Sequence, residues 1–227
     1  MTTPIVWPEK SFEALFRYFL SYAGPEPVTR TQSRSAAWRS SFDDYRAHCG
    51  SQQQSADLRD ALTDWSKGSF AAGIVSRALS GTCSESDQDW HRVVQEGFDL
   101  PTARLQSELT VFRGFSMTEK DSALARLRPV VHATVDPFVA FGFAIGAANL
   151  GYYPWSWNQA KRSALLWIDL PAGTPAICVQ GSFTEYEVLL PGGICWKPVA
   201  TLKDGGREMH RFTICDNSPA SAGAPIG

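Results

Sequence analysis

Two glutamates separated by one residue, Glu185 and Glu187, are the side chains of this sequence best suited to acid–base or electrostatic chemistry. They precede a short apolar run, 188–190, that predicts a β-strand. Because side chains alternate across a strand, both carboxylates are expected to point to the same side. Paired carboxylates suit general-base catalysis and electrostatic stabilisation of a transition state. A solvated strand edge would show the same pattern, so both interpretations stay open for the pair taken alone.

An arginine followed by a glycine, Arg113-Gly114, lies near the end of a strand predicted over 109–115. A guanidinium in this position can grip a phosphate group with two parallel hydrogen bonds. Glycine has no Cβ, so the backbone at Gly114 could approach a ligand closely. A surface ion pair with a carboxylate is the alternative interpretation for this arginine alone.

The third candidate group is His132-Ala133-Thr134, on a strand predicted over 130–135. An imidazole or a hydroxyl here could orient a nearby carboxylate. The alternative is a histidine and a threonine whose hydrogen bonds are satisfied inside a sheet. Asp136-Pro137 follows and predicts an N-cap and a first helical residue, for a helix from 138 to about 148.

The elements of the first hundred residues are predicted to be mainly helices, because apolar residues recur there at helical spacing. Helices are expected over 12–22, with Ser11 as the N-cap, over 58–79 and over 87–98. Glycines weaken the second of these and could split it in two. The stretches 29–40 and 51–55 are predicted to be loops.

From residue 109 onwards the pattern changes to short β-like runs separated by turn residues. Strands are predicted over 109–115, 130–135, 164–170, 176–179, 187–190, 194–202 and 210–215, with a helical segment over 119–127. The predicted fold class is therefore α+β. It comprises a helical lobe over 1–107, a β-rich core over 108–216 and a disordered tail over 217–227, together forming one structural unit.

Composition excludes several classes of function. The 227 residues are 44% hydrophobic and 19% charged, as in folded soluble proteins. A net charge of −2 with scattered Lys and Arg offers no bulk attraction to phosphate backbones, so a nucleic-acid partner is not expected. A cleavable export signal is not expected, and the longest apolar run, 138–150, is too short to span a bilayer. A cytoplasmic protein without a membrane partner is the expectation.

The five cysteines are odd in number and widely spaced: Cys49, Cys83, Cys178, Cys195 and Cys215. No pair has the close spacing of a zinc knuckle or a redox motif. Reduced, mostly buried thiols are therefore the expectation, and no metal site is suggested.

Taken in order, the three motifs resemble the mono-ADP-ribosyltransferase family, in the branch with an Arg, a Ser-Thr-Ser and a Glu-x-Glu motif and of the bacterial toxin or effector type. The resemblance covers about 110–202. Arg113 matches the strand arginine, and Glu185 and Glu187 match the Glu-x-Glu motif that ends the substrate-recognition loop. The segment 167–179 looks like the family's strand–turn–strand.

The resemblance implies a split β-sandwich and NAD as a substrate. Glu187 is implied to be the catalytic carboxylate, and Glu185 to hold the acceptor, a protein arginine, while nicotinamide is released. Phe183 or Tyr186 would be the aromatic residue that recognises the acceptor. The residues implied to bind NAD are Arg113, Gly114, His132, Thr134 and Arg162.

One position departs from the family pattern. The place of Ser-Thr-Ser is taken by His132-Ala133-Thr134, so the first serine, which orients the catalytic glutamate in the family, is absent. His132 could supply the hydrogen bond instead, or Thr134 from a shifted strand. Two alternatives stay open: the same fold acting on another acceptor (nucleic acid, or water as an NAD glycohydrolase), and an inactive relative that binds a partner.

Family habit implies further partners. The resemblance implies a bacterial or phage effector that dedicated machinery delivers into a target cell. A target protein, a cognate immunity protein and delivery machinery are therefore expected partners beside NAD.

Overall fold

The computed structural model describes residues 10–22, 36–66, 85–117, 131–145, 162–179 and 186–215. In these residues five helices and seven strands occur, together with one 3₁₀ turn. The helices are α1 (Phe12–Ser21), α2 (Ala36–Ser51), α3 (Ala56–Ser66), α4 (Glu85–Asp99) and α5 (Pro137–Ala144), and the turn is Pro101–Ala103. The strands are β1 (Leu109–Met117), β2 (Val131–Thr134), β3 (Arg162–Leu170), β4 (Ile177–Cys178), β5 (Glu187–Leu190), β6 (Trp196–Asp204) and β7 (Arg207–Ile214).

Two helices begin where local sequence signals predicted. The Ser11 hydroxyl accepts a hydrogen bond from the backbone N–H of Ala14, which caps α1. The Asp136 carboxylate accepts one from Phe138 N–H, with Pro137 as the first residue of α5. Both starts depend on contacts within a few residues, which explains why the sequence alone predicted them.

Helix α2 corrects one prediction. The stretch 29–40 was expected to be a loop, but residues 36–40 form the first turns of α2. The signal was present in the sequence, since Trp38, Phe42 and Tyr45 recur at helical spacing. All three are buried in the core, so tertiary packing stabilises a helix whose other residues are mostly polar.

The seven strands form one mixed sheet in the order β4-β5-β2-β1-β3-β7-β6. Only the β3–β7 pair is parallel among these neighbours. Strand β1 pairs with β3 along its whole length, from Leu109–Leu170 to Met117–Arg162. By contrast, β1 and β2 share a single registered pair, Phe112 with Thr134. The sheet is therefore split at this point into two halves, β4-β5-β2 and β1-β3-β7-β6.

The helices of the N-terminal part pack directly on the sheet. Side chains from α1 and α2, such as Phe19 and Trp38, share one core with those of β1 and β3, such as Phe112 and Ile168. Helices α3 and α4 form a second core on the face of β4 and β5 that points away from the first core. Its members include Leu62, Phe98, Ile177 and Leu189. Strand β5 is consequently buried on both faces. The arrangement confirms the α+β class.

The cysteines correct a second prediction. Cys49 of α2 forms a disulfide with Cys178 of β4, and Cys195 forms one with Cys215. The expectation of reduced thiols is therefore wrong for these four residues. The partners are 129 and 20 residues apart in the sequence, so only the tertiary fold brings their Cα atoms to 5.5 and 5.4 Å.

Some predictions fall on residues outside those described. They are the second half of the helix expected over 58–79, the helical segment 119–127 and the tail 217–227. Among the described helices, none combines the length and apolar character needed to cross a membrane.

Candidate active site

A cleft opens where the sheet is split between β1 and β2. Its cavity volume is about 170 Å³. The walls come from β1, β2, the first residue of β5 and helix α5. They are lined by Phe112, Arg113, Gly114, Phe115, His132, Ala133, Thr134, Val139, Ala140, Phe143 and Glu187. Five residues singled out from the sequence thus share one cleft: Arg113, Gly114, His132, Thr134 and Glu187.

Glu187 lies directly opposite Thr134 in the antiparallel pairing of β5 with β2. His132 precedes Thr134 by two residues, so it lies on the same face of β2. Its Nδ1 atom is 3.3 Å from Oε1 of Glu187. The Glu187 side chain is only 11% exposed, while that of His132 is 32% exposed. The pairing register therefore brings the carboxylate, the imidazole and the hydroxyl together.

The protonation of His132 depends on its surroundings. Burial lowers the pKa of this imidazole below its usual value, the hydrogen bond to Glu187 acts in the opposite direction, and the positive charge of Arg113 lowers it again. The ring is therefore neutral near pH 7. In the tautomer that carries its proton on Nδ1, the imidazole donates a hydrogen bond to the Glu187 carboxylate. Such a bond fixes the direction of the carboxylate and leaves its charge in place.

Thr134 has a local structural role as well. Its Oγ1 accepts a hydrogen bond from the backbone N–H of Asp136, at 3.0 Å, in the turn that leads into α5. The residue is buried. Thr134 thus joins the end of β2 to the start of the helix that forms one wall of the cleft.

Gly114 is required for packing. A Cβ atom placed there would lie 1.7 Å from the backbone oxygen of Ala140 in α5. The missing side chain allows the helix backbone, rather than a ligand, to approach β1 closely. The sequence assigned the glycine to ligand binding, and the structure adds this second reason for it.

Arg162 lies apart from the cleft. It begins β3, and its Nη1 is 3.3 Å from Oε1 of Glu208, a buried carboxylate that also contacts Lys203 and His210. Arg162 pairs with Met117, four residues along β1 from Arg113, which corresponds to roughly 13 Å along a strand. The described residues therefore do not bring this predicted phosphate ligand to the other site residues.

Tyr186 packs towards the helical lobe. Its ring contacts Phe42 and Tyr45 of α2 edge-on, with centroids 5.1 and 5.9 Å apart. Its φ angle of 47° is unusual for a residue other than glycine and turns the chain sharply into β5. The ring that was expected to recognise an acceptor is thus used to pack against α2. Phe183 and Glu185 lie outside the described residues.

Sequence reasoning missed the contribution of α2 to the site. The Tyr45 hydroxyl donates a hydrogen bond to the backbone carbonyl of Glu187, at 3.3 Å. The spacing of Trp38, Phe42 and Tyr45 could have indicated the helix, but nothing local could have indicated its partner, 142 residues away.

No family model matches the sequence, and no curated protein matches it significantly. Solved structures do match. The Vis toxin, an ADP-ribosyltransferase from Vibrio splendidus, is 14% identical with a TM-score of 0.56, over 93% of this chain and 94% of its own. An ADP-ribosyltransferase from Clostridium botulinum is 11% identical with a TM-score of 0.57, over 81% of this chain and 98% of its own. A protein from S. aureus, solved with NAD, is 13% identical with a TM-score of 0.52, over 80% of this chain and 97% of its own.

At such low identities the likeness establishes the fold. All three matched proteins are covered almost completely, so the shared architecture includes both the helical part and the sheet. The chain therefore has the fold of the bacterial mono-ADP-ribosyltransferase toxins, as its three motifs implied.

Proposed function

We propose that this protein is an NAD-dependent mono-ADP-ribosyltransferase, which cleaves nicotinamide from NAD and transfers ADP-ribose to an acceptor. The observation that carries the proposal is the Glu187 carboxylate, held by His132 in a cleft that Arg113 also lines. The fold supports it, because the Vis toxin and the Clostridium botulinum protein are ADP-ribosyltransferases.

Glu187 is proposed to stabilise the transition state. As the bond between nicotinamide and ribose breaks, positive charge develops on the ribose ring. A carboxylate that hydrogen-bonds a ribose hydroxyl stabilises this charge more in the transition state than in bound NAD. The acceptor then attacks the anomeric carbon and loses a proton. The products are nicotinamide, the ADP-ribosylated acceptor and one proton.

His132 is proposed to do what the first serine does in the family. The serine is absent here, and the Nδ1 atom of His132 is 3.3 Å from the Glu187 carboxylate. A neutral imidazole can donate this hydrogen bond without neutralising the carboxylate. The departure from the family pattern is therefore compatible with activity.

Arg113 is proposed to bind the NAD phosphates, with Gly114 and Thr134 lining the same cleft. An arginine fork pairs well with phosphate oxygens, and the partial burial of Arg113 strengthens a charge-assisted bond. Arg162 is a weaker candidate for this role, because its guanidinium already pairs with Glu208.

The acceptor is proposed to be a protein arginine. The support is the glutamate two residues before Glu187, since a guanidinium is protonated at neutral pH and needs a second carboxylate to hold and activate it. Vis has also been solved in complex with agmatine, which carries a guanidinium group. Phe183, close to Glu185 in the sequence, is the remaining aromatic candidate for contacting the acceptor.

The test of the proposal is nicotinamide release from NAD by the purified protein. Glu187→Gln is expected to reduce the rate roughly 10²–10³-fold, because it removes the negative charge but keeps the shape of the side chain. Glu96→Gln is the matched control, since Glu96 is an exposed carboxylate of α4 paired with Arg92. A Glu187→Gln variant within a few-fold of the wild-type rate would remove Glu187 from the mechanism.

The acceptor is tested separately with Glu185→Ala and agmatine. This variant should lose agmatine modification yet still release nicotinamide slowly, because water needs no carboxylate to position it. If both activities fall together, the two glutamates act as one unit. If agmatine modification survives, the acceptor is not recognised through Glu185, and a nucleic-acid or other side-chain acceptor gains support.

A further inference from the structure

Residues along much of helix α2 contact the half of the sheet that contains Glu187, β4-β5-β2. Phe42 and Tyr45 pack on Tyr186, the residue that precedes Glu187. One turn further on, His48 contacts the backbone oxygen of Ala176, with Nε2 at 3.0 Å. Cys49 forms its disulfide with Cys178 of β4. Along α2, Phe42, Tyr45 and His48 are each three residues apart, and Cys49 is four residues after Tyr45. Residues at this spacing lie on one face of a helix.

Among these α2 residues, Tyr45 contacts Glu187 itself. Its hydroxyl donates to the backbone carbonyl of Glu187, and its side chain is 7% exposed. Burial raises the pKa of this phenol, and the negative charge of Glu187 and the neighbouring Tyr186 raise it further. The hydroxyl therefore keeps its proton, and the bond to the carbonyl persists over the whole pH range in which an enzyme works.

The backbone just before Glu187 needs such support. Tyr186 has a φ angle of 47°, a left-handed conformation that is unfavourable for a bulky aromatic residue. Such conformations persist only where surrounding contacts impose them, and they concentrate at functional sites. Here Phe42 and Tyr45 of α2 contact the Tyr186 ring edge-on, and the backbone N–H groups of Val135 and Val179 donate to the carbonyls of Tyr186 and Glu187. The helix therefore contributes to the direction in which Glu187 leaves the backbone.

We propose that Tyr45 is a positioning residue for Glu187: its hydrogen bond to the Glu187 carbonyl, with the packing of α2 on Tyr186, fixes the start of β5 so that the carboxylate faces the cleft. The proposal rests on the proposed function for its effect on catalysis. It assigns the helical part of the chain a direct share in the arrangement of the site, beyond forming a core.

Gln52, the residue that follows α2, attaches the C-terminal end of this helix to β4. Gln52 Nε2 donates to the backbone oxygen of Ala176 at 2.6 Å, and Gln52 Oε1 accepts from the backbone N–H of Cys178 at 3.0 Å. These bonds resemble those of a neighbouring strand and, together with the Cys49 disulfide, hold α2 against β4. Strand β4 in turn pairs with β5, through Cys178 and Val188, one residue after Glu187. The end of α2 that follows Tyr45 is therefore attached to the strand that pairs with β5.

The test is Tyr45→Phe, which keeps the ring packing and removes only the hydroxyl. Its kcat for nicotinamide release is expected to fall by roughly 3–10-fold, the loss of one hydrogen bond, with KM for NAD within about twofold of wild type. The midpoint of thermal unfolding should change little. Tyr18→Phe is the matched control, because the Tyr18 ring packs on Phe138 and Phe141 of α5.

Hydrogen–deuterium exchange provides a readout that does not depend on activity. Peptides covering residues 186–190 should exchange faster in Tyr45→Phe than in wild type, while peptides from β6 and β7 should be unchanged. Unchanged kcat with unchanged exchange would overturn the proposal. The proposal would also be overturned if kcat and the midpoint of thermal unfolding both fell and exchange became faster throughout the protein. Tyr45 would then be only a residue of the hydrophobic core.

The same experiment separates this proposal from the proposed function. If the wild-type protein does not release nicotinamide, the proposed function fails. Faster exchange confined to 186–190 would then still establish that Tyr45 positions the start of β5. If wild type is active and Glu187→Gln is not, but Tyr45→Phe matches wild type in both readouts, the proposed function stands and this inference fails.

Discussion

The Nδ1 atom of His132 lies 3.3 Å from Oε1 of Glu187, across the pair of strands β2 and β5. The contact places an imidazole where the resembled family has a serine hydroxyl. Both groups donate a hydrogen bond, but the imidazole is larger and lies diagonally across the strands from the carboxylate, since Glu187 pairs directly with Thr134. The proposed function assigns this contact the role of the family's serine.

This contact leads to a prediction for His132. His132→Ala should lower kcat for nicotinamide release roughly 10–100-fold, because a hydrogen bond to a charged group contributes about 1.5–3 kcal/mol. His132→Asn should keep most of the activity, since the asparagine amide nitrogen can take the place of Nδ1. The measurement is steady-state kinetics of both variants. Equal loss in the two would show that the imidazole acts in another way.

A second prediction concerns Arg113. Arg113→Ala should weaken NAD binding by roughly 10–100-fold in calorimetry, because a charge-assisted pair with phosphate is lost. Arg162→Ala should leave the affinity close to wild type, since Arg162 pairs with Glu208 outside the cleft. The reverse order of effects would move the phosphate site to the start of β3 and contradict the assignment of Arg113.

Gly114 gives a prediction about stability. Gly114→Ala places a Cβ 1.7 Å from the Ala140 backbone oxygen, so α5 must move away from β1. A loss of about 3 kcal/mol or more in the free energy of unfolding is expected in urea titrations. Gly50→Ala is the control, because nothing lies within 4 Å of a Cβ at this exposed position of α2. That change should be neutral or stabilise by up to about 1 kcal/mol. Similar effects at both glycines would contradict the close packing of α5.

The two disulfides give a comparative prediction. In the chain-entropy treatment a cross-link over 129 residues stabilises by about 5 kcal/mol and one over 20 residues by about 3 kcal/mol. Replacing Cys49 and Cys178 by serine should therefore destabilise more than replacing Cys195 and Cys215. Denaturant unfolding of both double variants, under oxidising conditions, makes the comparison. A larger loss at the Cys195–Cys215 pair would show that local packing, and not loop closure, dominates.

The sequence alone predicted what depends on neighbouring residues. The bounds of β5, the Ser11 cap and the Asp136-Pro137 start of α5 agree with the structure, because each reflects local alternation or local hydrogen bonding. The order of the motifs around Arg113, His132 and Glu187 likewise indicated the fold. The start of α2, residues 36–40, was wrongly predicted to be a loop, although Trp38 belongs to the helical pattern of buried residues that packs on the sheet.

Only the tertiary structure decided which residues meet. The register of β2 and β5 brings His132 to Glu187, and the packing of α2 on β5 brings Tyr45 to the same residue. Close approach of α5 explains Gly114, and the register of β3 on β1 places Arg162 beside Met117, away from the cleft. Each of these contacts joins segments far apart in the chain, and local propensities carry no information about such pairing. The packing of the helices and strands on one another determines them.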